Sequence, residues 1–146
     1  SIQYPLRKIT STNKPKKNIL FIVVDTWRYN CLSETITPNI YSFSKKCQLF
    51  NNHKSGSNMT TGGIFSLFYG IPATYFDVFT NQRISPVMLD EFQKMNYDFK
   101  IYSSSTLENP PFNKNVFEGV ENLPGGIYIV AGQKNNQYFE FLVERK

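Results

Sequence analysis

An unbroken apolar run, ILFIVV at 19–24, stops at an acid, Asp25. The run is β-branched and aromatic and does not alternate. From Asn18 to Val24 this pattern predicts a strand buried on both faces, as in a parallel α/β sheet. Pro38, just after Thr37, sits where proline opens a helix, and Ile40, Phe43 and Ser44 keep helical spacing to about Cys47. A short strand at 48–51 and a polar loop, HKSGSN, follow. Thr60 or Thr61 then serves as N-cap of a helix whose apolar face is Ile64, Phe65, Leu67 and Phe68; Gly70 ends it, with Pro72 beyond. Pro86 to Met95 reads as an amphipathic helix on Val87, Leu89, Phe92 and Met95, and Tyr97 to Ser103 alternates like a strand. Strand, helix, helix, strand at this spacing predicts α/β: a mainly parallel sheet flanked by helices. Ile127 to Val130 and Tyr138 to Val143, joined through KNNQ, predict a C-terminal β-hairpin. The expected divisions are a basic lead-in at 1–17, a body at 18–119 and a hairpin tail at 120–146.

Composition narrows the class. With 40% hydrophobic and 18% charged residues, the 146-residue chain is globular: one domain or part of a larger one. The net charge of +5 comes from Arg7, Lys8, Lys14, Lys16 and Lys17; the remainder is neutral. A nucleic-acid-binding face would need basic residues throughout, so nucleic acid is excluded as a partner. The basic arm fits a solvated tail or a segment lying near anionic lipid. No run reaches the roughly 18 apolar residues of a membrane span, and no signal peptide is visible, so any membrane anchor lies outside this chain. Starting at Ser1 rather than Met fits a piece of a longer protein. Cys31 and Cys47 fit either a disulfide in an oxidising compartment or two free thiols.

Ligands of open α/β sheets collect at the carboxyl ends of the strands, where Asp25 stands. Its carboxylate either faces a crevice and holds a cation, or caps a turn or pairs with Arg28. Thr60 precedes two glycines at the start of a helix, where free N–H groups can hold an anion. Gly62 and Gly63 would admit a tetrahedral group close to the backbone. A neighbouring metal would make the Thr60 hydroxyl a nucleophile; as a plain N-cap it would do no chemistry. His53 is the sole histidine, which rules out a serine-protease triad and a multi-histidine zinc site.

The segments NILFIVVDTWR (18–28), TPNIYSFS (37–44) and FNNHKSGSNMTTGGIFSLFYGIP (50–72), in this order and spacing, resemble the alkaline phosphatase/sulfatase superfamily, and within it the YejM-like inner-membrane branch. The lead-in QYPLRKI resembles the segment joining that branch's membrane part to its periplasmic domain, and the resemblance spans about residues 3–105. It implies an alkaline phosphatase-like fold, with Asp25 as metal ligand and Thr60 at the nucleophile position, also touching the metal. The divalent ion would be Mg²⁺, Mn²⁺ or Zn²⁺. Asn58, His53, Thr61 and Gly62 would stand around the phosphate. The implied substrate is a phosphoester and the implied partner an anionic lipid such as cardiolipin or lipopolysaccharide. The implied place is the periplasmic side of the inner membrane.

Three departures temper these implications. The CxPxR-type sulfatase signature is absent, and the usual Asp-Asp pair is Val24-Asp25. After Glu118 there is neither Asp nor His to complete a two-metal site. Either the chain is part of a longer enzyme, or it is a degenerate domain that binds lipid and regulates.

Overall fold

The computed structural model describes residues 2–9, 18–103 and 106–120. They belong to two compact units, Lys16–Thr74 and Ser1–Pro15 with Tyr75–Lys146. The body expected at 18–119 therefore contributes to both. The expected hairpin lies outside the described residues.

In the first unit, helix α1 (Pro38–Ser44) has Pro38 in its first turn, as expected. It ends before Cys47 because Lys46 and Cys47 donate to Phe43 and Ser44, three residues back, at 3.0 Å each. These tighter bonds close the turn rather than extend the helix. At its other end the Thr37 hydroxyl donates to the Cys31 carbonyl at 2.7 Å. That bond ties the helix to the 3₁₀ turn Tyr29–Cys31. Cys31 thus stands near the start of α1 and Cys47 beyond its end; both are free thiols.

Helix α2 (Thr60–Tyr69) ends on Gly70 at φ 67°, a left-handed cap that costs glycine nothing. Phe65 is completely buried and stacks on Tyr69 at 4.3 Å; Phe68 meets Phe21 edge-on at 5.4 Å. The start differs from expectation. Met59 is the N-cap, and both threonines lie inside the helix.

No strand is assigned among the described residues. The run from Ile19 to Val24 is 44–85% exposed. A strand buried on both faces requires neighbours to supply its ladder bonds and cover its faces. No such ladder forms here among the described residues. Residues 97–103 also lack a ladder, yet their burial keeps the predicted period of two. Tyr97, Phe99, Ile101 and Ser103 are half-buried, while Asp98, Lys100 and Tyr102 are exposed.

In the second unit, helix α3 (Phe76–Gln82) was not expected from the sequence; helix α4 (Val87–Lys94) was, within a residue at each end. Phe79 of α3 is 1% exposed and takes the Tyr4 ring edge-on at 5.1 Å. The Tyr4 hydroxyl accepts a long hydrogen bond from the Val87 N–H, 3.4 Å. Burial raises the Tyr4 pKa, the Val87 bond works against it, and nearby Asp90 adds to the rise. Phe76 faces Phe112, in the 3₁₀ turn Phe112–Lys114, at 6.4 Å and 89°. Beside them the fully buried Asn115 donates to the Thr80 hydroxyl at 2.7 Å, and that hydroxyl donates to the Phe76 carbonyl at 2.8 Å. The Asn115 side-chain oxygen accepts from the Val116 N–H. A buried amide is tolerable only when satisfied in this way. A cavity of about 330 Å³ opens between the lead-in and α4, lined by Gln3, Leu6, Lys8, Val87, Asp90 and Lys94. It belongs to this unit, not to the one carrying Asp25.

Candidate functional site

Asp25 follows the extended apolar run and precedes an abrupt turn. Thr26 has φ 57°, a left-handed conformation that β-branched residues avoid. In this turn the Thr26 N–H donates to Asp25 Oδ1 at 2.8 Å. The turn-capping reading of Asp25 is therefore realised, through its immediate neighbour. Asp25 forms no ion pair with Arg28 among the described residues.

The same carboxylate reaches across 35 residues of sequence. Thr60 Oγ1, in the first turn of α2, donates to it at 3.0 Å from Oδ2 and 3.1 Å from Oδ1. α2 has no side-chain cap bond at its start. Thr60 therefore spends its hydroxyl on Asp25 rather than on its own helix. Both groups are exposed, so a solute could reach them.

The loop before α2 is held by its serines. Ser55 Oγ donates to the Ser57 carbonyl at 2.6 Å, and Ser57 Oγ accepts from the Met59 N–H at 3.1 Å. Glycines let this loop lie against α2. A Cβ at Gly56 would collide with Ser66, and one at Gly62 would stand 2.6 Å from Ser57 Cβ and 2.8 Å from Ala73 Cβ. Gly62 is buried; its missing side chain makes room for Ser57 and Ala73, which occupy the space a tetrahedral group was expected to use. At Gly63 the nearest neighbour of a Cβ would be Ser55 Oγ at 3.3 Å. His53 and Asn58 are exposed on the loop, and Thr61 is half-buried. Among the described residues no hydrogen bond joins any of these three side chains to Asp25 or Thr60.

Asp25 and Thr60 offer hard oxygen donors of the kind that bind Mg²⁺ or Mn²⁺. Their 3.0 Å separation also suits adjacent ligands on a cation with bonds of about 2.1 Å. The donor type and spacing fit a divalent ion; the number of donors is small. Among the described residues no three His, Cys, Asp or Glu side chains gather to hold a metal. Nothing in the sequence singles out Thr26, because a β-branched residue is among the least expected at a left-handed turn.

Comparison with known proteins places the chain. A family model described as Sulfatase matches residues 17–139. The chain is 29% identical over 143 residues to the inner membrane protein YejM of Salmonella typhimurium, a match covering 97% of this chain and 24% of that protein. The YejM of Salmonella typhi matches with the same identity and coverage. An uncharacterized protein of Haemophilus influenzae is 28% identical over 123 residues, 82% of this chain and 21% of its own length. The chain thus spans a quarter or less of these relatives. No solved structure matches it. No helix among the described residues is long and apolar enough to cross a membrane.

Proposed function

The chain belongs to the Sulfatase family, whose domains have the alkaline phosphatase-like α/β fold, and on that premise we propose that it is the N-terminal part of the periplasmic domain of a metal-dependent phosphoester hydrolase or transferase. The observation that carries this reading is the Thr60 hydroxyl on both oxygens of the Asp25 carboxylate, 3.0 and 3.1 Å away. Asp25 and Thr60 would together hold a divalent cation, Mg²⁺, Mn²⁺ or Zn²⁺. When bound, the ion lowers the pKa of the hydroxyl and neutralises charge on the phosphate oxygens. Asp25 orients the Thr60 oxygen by accepting its proton in a hydrogen bond. Thr60 then attacks phosphorus, its proton passing to the Asp25 carboxylate as the P–O bond to the leaving alcohol breaks. Water or an acceptor alcohol later takes the phosphoryl group off Thr60; otherwise Thr60 only binds a phosphate oxygen. His53, Asn58 and Thr61 line the approach along the loop and first turn of α2. In this fold residues 18–24 and 97–103 are sheet strands, which their composition and the alternating burial of 97–103 support.

The place of action is the inner membrane, as the names of the Salmonella relatives suggest, and its periplasmic side, as the likeness to the YejM-like branch implies. Anionic lipid is the partner of the basic lead-in, where Arg7 and Lys8 are exposed. The test is hydrolysis of p-nitrophenyl phosphate by the full-length protein with Mg²⁺, Mn²⁺ or Zn²⁺ added. Metal-dependent turnover that disappears in Thr60→Ala supports the enzyme.

A second reading rests on the lone carboxylate at position 25, since no three His, Cys, Asp or Glu side chains gather among the described residues. In this reading the domain has lost catalysis and serves as a lipid-binding regulator. It predicts no metal-dependent turnover, with binding to anionic vesicles retained.

A further inference from the structure

We propose that Thr26 is a positioning residue for the Asp25–Thr60 pair, acting through its backbone N–H. Three observations meet at this point. Thr26 is held at φ 57°, its N–H donates to Asp25 Oδ1 at 2.8 Å, and the same carboxylate receives the Thr60 hydroxyl on both oxygens. A left-handed conformation is unfavourable for an L-residue, and such strain persists only where surrounding structure holds it. The turn directs the residue's own N–H back at the preceding carboxylate. Without that bond only the Thr60 hydroxyl restrains the exposed carboxylate about χ1 and χ2. With it, the rotation is restricted and the carboxylate is presented to Thr60. The role belongs to the turn and its N–H rather than to the threonine side chain. This inference rests on the reading of Asp25 as a metal ligand and extends it to the group that aims the ligand.

The experiment uses the full-length protein and Mn²⁺ alone, with free Mn²⁺ followed by its electron paramagnetic resonance signal. Thr26→Pro removes the N–H and forbids a positive φ; Thr26→Gly and Thr26→Asn keep both. Outer partners of metal ligands are worth about tenfold to a hundredfold in metal affinity. A loss of that size is expected in Thr26→Pro, with affinity retained in Thr26→Gly and Thr26→Asn. Unchanged affinity in Thr26→Pro overturns the proposal, as does an equal loss in Thr26→Gly. A second measurement covers misfolding of the proline variant and needs no metal. The Thr26 amide proton should lie downfield, move upfield in Asp25→Ala, and stay in place in Asp25→Asn. An amide unmoved by Asp25→Ala overturns the proposal. If the unsubstituted protein binds no Mn²⁺ and neither Mg²⁺ nor Zn²⁺ supports turnover, the phosphoester reading falls, while the amide measurement still decides whether the Thr26 N–H holds Asp25.

Discussion

The Thr60 hydroxyl and the Asp25 carboxylate, 35 residues apart in sequence, lie 3.0 Å apart in the fold. Both are exposed, so the bond adds little stability, and Thr60→Val should change unfolding free energy by less than about 1 kcal/mol. Turnover should respond far more strongly. With Thr60 as nucleophile, Thr60→Val removes the attacking oxygen and lowers kcat by about a thousandfold or more. Parallel urea melts and p-nitrophenyl phosphate assays check both halves. A large stability loss would make the pair structural instead.

The two glycines of α2 should respond differently to alanine. At Gly62 a methyl group would press on Ser57 and Ala73 at 2.6 and 2.8 Å. Gly62→Ala should cost about 1–3 kcal/mol, less whatever alanine's helix propensity returns. At Gly63 the tightest neighbour is the Ser55 hydroxyl at 3.3 Å, and alanine's gain of up to about 1 kcal/mol should leave the variant neutral or slightly more stable. Urea denaturation of both variants gives the order.

Asn115 and Thr80 form a buried polar pair, 2.7 Å between donor and acceptor. Asn115→Ala strands the fully buried Val116 N–H, a loss of about 1–3 kcal/mol. Combined with Thr80→Val, the total should fall short of the sum of the two single losses, because either change already breaks the shared bond. A double-mutant cycle by thermal melting measures this.

Tyr4 predicts an alkaline transition. Its folded pKa is raised, chiefly by burial, while an unfolded tyrosine loses its proton near pH 10. The unfolded chain therefore releases the proton first as pH rises. The Tyr4 contribution is complete below about pH 10 and is lost as pH climbs through the higher folded value. Melting temperature followed from pH 8 to 12 should fall more steeply for the unsubstituted protein than for Tyr4→Phe.

Much of the helical framework was legible in the sequence, because its signals are local. Pro38 opened α1, Gly70 closed α2, and Pro86 and Met95 bracketed α4. The start of α2 was misjudged by one residue, since Thr60 has a distant partner that no local rule detects. Helix α3 escaped notice because its core residues, Phe76 and Phe79, are separated by the polar Asp77 and followed by a polar end. The pairing of Asp25 with Thr60 was anticipated from their resemblance to a known pattern. The backbone turn at Thr26 was not, because its conformation opposes the residue's own preference. The close packing at Gly62 was likewise hidden, as the sequence does not tell whether a glycine admits a ligand or a neighbouring side chain.

The exposed run from Ile19 to Val24 has a practical side. Six consecutive residues of high β-propensity carry no charge and no proline, the composition of segments that stack into intermolecular zippers. Flanking Lys16 and Lys17 on one side and Asp25 on the other are placed as gatekeepers against such stacking. Purification of this stretch apart from the strands that would flank it therefore favours low protein concentration.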